Sequence, residues 1–158
     1  MKKLILFLSL VGWLMAANKV EIESLKFEAY EERGISIFTG NVSIKKGEDR
    51  MFADKVVVFV DEERQIKKFE ASGNTSFAIH TDDNNSFEGS AQQFSYTPKT
   101  GELILTGNAK IKDALNAREI SGERVILYEK QKIAKVMGEE KKPVKLIFEL
   151  EEEGEKKE

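Results

Sequence analysis

Hydrophobic and polar residues alternate along most of the chain, which is the pattern of half-buried β-strands. In the segment FADKVVVF, for example, Val56, Val58 and Val60 share one side, and β-branched residues dominate. Helical spacing is poor everywhere except at residues 112–119, where one helical turn or a loop is expected. The alternation therefore predicts an all-β chain.

A Gly-Asn pair recurs inside these segments, in TGNVSI, SGNTSF and TGNAKI. The glycines of the three pairs are Gly40, Gly73 and Gly107, which lie 33 and 34 residues apart. Apolar residues keep the same parity across each pair, as Phe38 and Ile44 do around Gly40. A strand that bends at a glycine without turning back explains this parity, because glycine adopts backbone conformations that other residues avoid.

Other segments follow the same period. The small residues Ala53, Gly89 and Gly122 of FADKVVVF, EGSAQQFSY and SGERVILY are predicted to occupy equivalent positions. Near the C-terminus, GEEKKPVKLIFEL is expected to start a fourth repeat. Repeats of this length indicate β-units stacked around a common apolar interior, with atypical units at the ends.

The first residues have the layout of a secretory signal peptide. Two lysines precede an apolar run at residues 4–14, which is too short to cross a bilayer because about 20 residues are needed. We therefore expect residues 1–17 to be removed on export. The folded domain is then expected at residues 18–148, followed by a charged, disordered tail at residues 149–158. Retention of the apolar run as a membrane anchor is the alternative.

Charge and composition narrow the function classes. The formal net charge is −3, and it becomes −5 when the two lysines of the signal peptide are lost, which argues against nucleic acid as a partner. The chain has no cysteine and one histidine, His80, so neither a zinc site nor a Cys-His nucleophile is expected. We predict no catalytic group, no metal and no cofactor.

Strand parity and repeat correspondence predict eight apolar side chains on one inner face. These candidate ligand-binding residues are Val42, Ile44, Val58, Phe77, Phe94, Leu105, Ile111 and Leu127. The residues alone leave two possibilities open, because an ordinary closed core and an open apolar trough have the same parity.

The order and spacing of these segments resemble the OstA-like (LptA) family of periplasmic lipopolysaccharide transport proteins. FTGNVSIKKGEDRMFADKVVVF, FEASGNTSF, AQQFSYTPKTGELILTGNAKI and ISGERVILY carry the resemblance, which extends from residue 18 to about 137. It implies a twisted β-jellyroll or solenoid, open like a V, whose apolar interior shelters the lipid A acyl chains of lipopolysaccharide. It also implies head-to-tail self-association and partners like LptC at the inner membrane and LptD at the outer membrane.

Two alternatives follow from the same residues. An LptC-like component shares the implied fold but keeps its N-terminal membrane helix. A β-helical enzyme acting on polysaccharide would instead need a surface cleft with paired carboxylates and sugar-stacking aromatic side chains. The aromatic residues of this chain have inward parity, which favours the transport protein.

Overall fold

The computed structural model describes residues 19–80 and 84–150, so the predicted signal peptide and most of the predicted tail lie outside the described residues. These ranges contain ten β-strands and one short 3₁₀ turn, Glu31–Arg33, between the second and third strands. The strands are β1 (Val20–Glu23), β2 (Lys26–Tyr30), β3 (Ile35–Lys46), β4 (Asp49–Val60), β5 (Ile66–His80), β6 (Ser86–Thr97), β7 (Glu102–Asp113), β8 (Arg118–Tyr128), β9 (Ile133–Met137) and β10 (Lys145–Phe148). The all-β prediction is confirmed.

The ten strands form one antiparallel sheet, in which β3 to β8 are neighbours in chain order. At one edge β1 and β2 both pair with β3, and at the other edge β9 and β10 both pair with β8. The sheet is therefore open, and each edge consists of two short strands. In the part of the chain that the structure describes, no helix is long and apolar enough to cross a membrane.

Each Gly-Asn pair forms a bulge in the middle of a long strand. Gly40 and Asn41 have φ angles of 88° and 45°, and the register with β4 shifts so that both residues lie opposite Asp54 alone. The bulges at Gly73 and Gly107 repeat this geometry, with an asparagine at φ 46° and 48° after the glycine. The predicted bend without a turn is confirmed. The asparagines also adopt the left-handed region, which a short polar side chain tolerates.

The line of bulges divides the sheet into two half-sheets that face each other as an open V. Half-sheet A comprises β2, β9 and the segments 35–39, 55–60, 66–72, 93–97, 102–106 and 124–128. Half-sheet B comprises β1, β10 and the segments 42–46, 49–53, 75–80, 86–91, 109–113 and 118–122. On β3, β5 and β7 the inward residues keep one parity across the bulge. On β4, β6 and β8 they change parity at the residue opposite the bulge, so Ala53 and Val56, for example, both point into the V.

The structure corrects one predicted position of the repeat. The correspondence predicted for Gly89 is wrong: Ala91 lies opposite Thr75 at the bulge, in the position that Ala53 holds in β4. Gly89 instead lies opposite Phe77, whose ring occupies the space that a side chain at residue 89 would need.

Residues 114–117 form a turn between β7 and β8. Of the two possibilities for residues 112–119, a helical turn or a loop, the structure therefore has the loop.

The bulge at Gly73 generates the first testable prediction. A Cβ atom at residue 73 would lie 2.7 Å from Cβ of Asp54, whose carboxylate also accepts a hydrogen bond from Asn74 Nδ2 at 3.3 Å. Gly47 also has a positive φ, 58°, but a Cβ atom there meets no atom within 4 Å. Gly73→Ala should therefore lower the free energy of unfolding by roughly 1–3 kcal/mol more than Gly47→Ala, measured by chemical denaturation. Equal losses in the two variants would contradict the close contact.

Candidate functional site

The eight predicted inner residues lie in one apolar cluster between the half-sheets. Val42, Val58, Phe77, Phe94 and Leu105 are buried in it, whereas three others pack against it and are partly buried. These three are Ile44, Ile111 and Leu127. The structure therefore brings all eight to the inner face of the V.

The cluster is built from straight rows of residues that lie directly opposite one another on successive strands. The inner row of half-sheet A consists of Phe27, Phe38, Val56, Ala71, Phe94, Leu105, Val125 and Val136. The inner row of half-sheet B consists of Ile22, Ile44, Met51, Phe77, Gly89, Ile111, Ile120 and Leu146. Both rows run unbroken from one edge of the sheet to the other, so the apolar interior extends to both ends.

Three phenylalanines join the two half-sheets. The Phe94 ring lies 5.9 Å from that of Phe69 at an interplanar angle of 86°, and 5.6 Å from that of Phe77 at 64°. Phe69 and Phe94 belong to half-sheet A and Phe77 belongs to half-sheet B. Edge-to-face contacts of this kind are favourable, and these rings hold the half-sheets together near the middle of the V.

Between the half-sheets, on the C-terminal side of this aromatic contact, lies a pocket of about 540 Å³, which we call the trough. Four of the eight predicted residues line it: Phe77, Phe94, Ile111 and Leu127. The remaining apolar walls come from Ile79, Phe87, Tyr96, Leu103, Ile133 and Ala134. Tyr96 and Leu103 have the parity of the predicted inner residues on the same strands, so alternation carried the signal for them. The trough is a mostly apolar space with few polar groups.

The other four predicted residues do not line the trough. Val42, Val58 and Leu105 are enclosed in the cluster, and Ile44 packs at its side towards the N-terminal strands. Parity alone places a residue on the inner face but does not separate packed positions from those facing an open space. Whether an inner residue is packed or faces the open space depends on the size of the side chains that it meets on the opposite half-sheet.

The rim of the trough carries polar groups at the turn after β8. Glu129 and Lys132 line it there, and the Tyr96 hydroxyl donates a hydrogen bond to Glu129 Oε2 at 3.4 Å. Burial and the nearby Glu129 carboxylate raise the pKa of Tyr96, so this hydroxyl stays protonated at neutral pH. The rim can hydrogen-bond to a polar ligand group while the walls accept an apolar one.

A buried polar network lies at the end of half-sheet B, beside the trough. Asp113 accepts hydrogen bonds from Asn85 Nδ2 at 3.0 Å, Asn116 Nδ2 at 2.8 Å and Arg118 Nη2 at 2.7 Å. Burial raises the pKa of Asp113, but these hydrogen bonds outweigh it and hold the pKa well below its ordinary value. The network ties the turn after β7 to the loop before β6. The inward parity of Asp113 on β7 is the signal for this network in the sequence, where it was not among the predicted site residues.

Within residues 19–80 and 84–150, no group of three or more His, Cys, Asp or Glu residues could hold a metal ion. His80 lies on the surface with its Nδ1 atom 3.5 Å from Asp49 Oδ1. The trough has the properties of a binding site for apolar groups.

Comparison with known proteins bears on both fold and family. The model of a family described as LptA/(LptD N-terminal domain) LPS transport protein matches residues 21–133. The structure is similar to that of LptH, the LptA homologous periplasmic component of the conserved lipopolysaccharide transport device from Pseudomonas aeruginosa. Identity is 11%, the TM-score is 0.70, and 83% of this chain and 95% of the LptH chain are covered. The shared fold confirms the predicted fold class. Comparison with curated proteins finds no match.

The buried Asp113 network predicts a pH-dependent contribution to stability. Folding lowers the pKa of Asp113, so its contribution is complete above the ordinary value of 3.8 and is lost as the pH falls below that value. Asp113→Asn should lower the free energy of unfolding by roughly 1.5–3 kcal/mol at neutral pH, because hydrogen bonds to a charged group are lost. In denaturation experiments, this difference from the unaltered chain should shrink below pH ~4.

Glu119→Gln is the control for Asp113→Asn. Glu119 lies on the same strand as Arg118, but it forms more exposed ion pairs with Lys110 and Lys112. Its loss should change stability by less than the Asp113→Asn substitution does, because exposed ion pairs contribute little. A difference between Asp113→Asn and the unaltered chain that stays constant down to pH ~3 would contradict the proposed role of the charge.

The positions that follow the Gly-Asn pairs generate a third prediction about stability. Thr75 and Val42 occupy the same repeat position and are 2% and 1% exposed, and the Thr75 hydroxyl has no hydrogen-bond partner in the described ranges. Because threonine and valine have the same shape, Thr75→Val should leave stability unchanged or raise it by up to about 1 kcal/mol. Val42→Thr should lower it by about 1–3 kcal/mol. Thermal denaturation of both variants tests this, and a marked loss in Thr75→Val would point to a hydroxyl partner.

Proposed function

Because the chain belongs to the family of LptA and LptD N-terminal-domain lipopolysaccharide transport proteins, we propose that it binds lipopolysaccharide in the periplasm and carries it towards the outer membrane. The match to the family model confirms the resemblance that the sequence motifs indicated. Members of this family are transport components and not enzymes, which agrees with the prediction that the chain has no catalytic role.

In this proposal the trough shelters the lipid A acyl chains. The observation that carries it is the pocket of about 540 Å³ with walls from both half-sheets, including Phe77, Phe94, Ile111 and Leu127. Each methylene group buried there contributes about 0.8 kcal/mol to binding. A charged group would be costly in the same place, which suits a path for acyl chains rather than for sugars. The polar rim at Glu129 and Lys132 stays available to the polar part of the ligand.

The open edges of the sheet support end-to-end assembly. Large apolar side chains are exposed at the N-terminal edge on β2, where Phe27 is 41% exposed, and at the C-terminal edge on β10, where Leu146 and Phe148 are 54% and 49% exposed. Edge strands with free backbone groups accept a further strand from a partner. We propose that the chain associates head to tail with itself and uses its two ends to contact LptC-like and LptD-like components.

The proposal includes a periplasmic location and the predicted domain limits. Residues 1–17 act as a signal peptide that is removed on export, leaving the domain at 18–148 and the charged tail. Mass measurement of the protein purified from cells tests this limit. A membrane-bound form that retains residues 1–17 would favour the LptC-like alternative.

Photo-cross-linking in cells tests acyl-chain binding directly. Ile111 lines the trough, and its neighbour Lys112 points to the outer face of the same strand. A photoreactive residue at position 111 should capture lipopolysaccharide, whereas the same residue at position 112 should not, because successive side chains of a strand point to opposite faces. A second probe at Leu127, also on the trough wall, should behave like the one at position 111.

The control is a photoreactive residue at Val42, which lies in the packed part of the cluster and not on the trough wall. It should give weak or no capture. Capture at position 112 but at neither 111 nor 127 would place the ligand on the outer face and overturn the proposal.

A further inference from the structure

The outer face of half-sheet B contains a hollow that is separate from the trough. Its volume is about 350 Å³, which lies within the range of about 300–1,000 Å³ that is usual for small-molecule sites. Four small residues of β5 and β6 form its floor, namely Ser76, Ala78, Gly89 and Ser90. The trough lies on the other side of the same two strands, so one stretch of sheet separates the two spaces.

The hollow exists because β5 and β6 carry small outward residues where other repeats carry large ones. Ala78 lies five residues after Gly73, and the residues at the same distance from Gly40 and Gly107 are Lys45 and Lys112. The neighbouring strands β4 and β7 form the two sides of the hollow with long side chains. These strands are three strand spacings apart, about 14 Å, which sets the width of the hollow.

Phe52 of β4 forms part of one side, and it is an exception to the inward parity expected of the aromatic residues. It lies opposite Ser43 and Ser76 on the outer face and is 48% exposed. The repeat has Ser90 and Ser121 at the equivalent positions of β6 and β8. An exposed aromatic ring beside a floor of small residues offers a flat apolar surface to the ring of a ligand.

Three basic side chains stand at the sides of the hollow. Arg50 Nη1 donates hydrogen bonds to the backbone oxygens of Gly47 at 2.6 Å and Asp49 at 2.8 Å, which hold the guanidinium group on the β4 side. Lys110 and Lys112 stand on the β7 side. The hollow therefore has positive charge on both sides, where an anionic group can form charge-assisted hydrogen bonds.

Uncharged and acidic hydrogen-bonding groups lie between these basic side chains. Glu88, Ser76 and Ser90 line the hollow, and among the described residues their side chains have no hydrogen-bond or ion-pair partner. A carboxylate accepts hydrogen bonds, and a hydroxyl both donates and accepts them. A ligand with several hydroxyl groups can therefore bond to all three side chains.

We propose that this hollow binds a sugar that carries a negative charge, as a phosphate or a carboxylate. The apolar face of the sugar ring packs on Phe52, its hydroxyl groups bond to Glu88 and the two serines, and its anionic group pairs with the basic side chains. Three cations and one carboxylate give the lining a formal charge of +2, so an anionic sugar is favoured over a neutral one. The site is independent of the trough and of the function proposed for it.

Glu119 competes with the ligand for the lysines. Its carboxylate lies 3.0 Å from Lys110 Nζ and 3.9 Å from Lys112 Nζ, on the side of β7 away from the hollow. The two lysine side chains are 45% and 53% exposed, so these ion pairs are weak and the ammonium groups can turn to a ligand. Glu119→Gln should therefore strengthen binding about two- to threefold.

NMR titration with glucose 6-phosphate tests the proposal. The amide resonances of floor residues, such as Ala78 and Gly89, should shift in a saturable way. Glucose and inorganic phosphate should each bind at least about tenfold more weakly, because glucose lacks the charge-assisted hydrogen bonds and phosphate lacks the ring that packs on Phe52.

Two substitutions use residues that the repeat carries at equivalent positions. Phe52→Ser, which introduces the residue type of positions 90 and 121, should weaken binding of glucose 6-phosphate at least about fivefold. Ala78→Lys, which introduces the residue type of positions 45 and 112, should weaken it at least about fivefold because the longer side chain fills the hollow. Melting temperatures check the folding of both variants. Lys99→Gln removes a charge in the turn before β7, outside the hollow, and should leave the affinity unchanged.

Ala78→Lys separates a shaped site from a general attraction of anions, since it adds a positive charge while it removes the space. Weaker binding in this variant and in Phe52→Ser, with preference for the sugar phosphate, supports the proposal. Stronger binding in Ala78→Lys, or equal affinities for glucose 6-phosphate and inorganic phosphate, would overturn it. An absence of shifts at the floor residues would also overturn it. Lipopolysaccharide capture at Ile111 is measured separately and is unaffected by these results.

Discussion

The structure depends on a two-residue bulge that redirects a β-strand without changing its parity. A glycine and an asparagine, both left-handed, lie opposite a single residue of the neighbouring strand, as Gly40 and Asn41 lie opposite Asp54. Two residues are consumed where the partner uses one, so the strand bends sharply while its apolar positions remain on one face. Because the bulge is repeated on β3, β5 and β7, the bends of these strands lie along one line. The two half-sheets of the V meet along that line.

The apolar interior follows from this alignment. Straight rows of inward residues on the two half-sheets face each other, and their side-chain volumes decide where the V is filled. Phe94 bridges the half-sheets through contacts with Phe69 and Phe77, whereas the C-terminal part beyond it keeps a space of about 540 Å³. A binding site thus arises from incomplete filling of a repeated core. Phe77 reaches its place only because Gly89 lies opposite it without a side chain.

Because the sheet is open, the strands at its two edges can pair with further strands. β1 and β2 form an edge of one strand direction, and β9 and β10 form an edge of the other. The two edges therefore have opposite strand directions, and the inner rows end in apolar residues at both of them. The trough reaches the C-terminal edge at Ile133 and Ala134 of β9.

Local patterns along the sequence determined the all-β class, the repeat, the bends at Gly40, Gly73 and Gly107, and the eight residues of the inner face. Period-two alternation and a glycine at a fixed spacing are properties of neighbouring residues, so they are visible without the fold. Only the tertiary structure decided that Ala91 and not Gly89 stands at the bulge, that four of the eight residues line an open space, and that Asp113 is held by Asn85 and Arg118. Each of these depends on contacts between strands that are far apart in the chain. Cross-strand register and the filling of space between two half-sheets are set by many side chains together, and no single segment contains them.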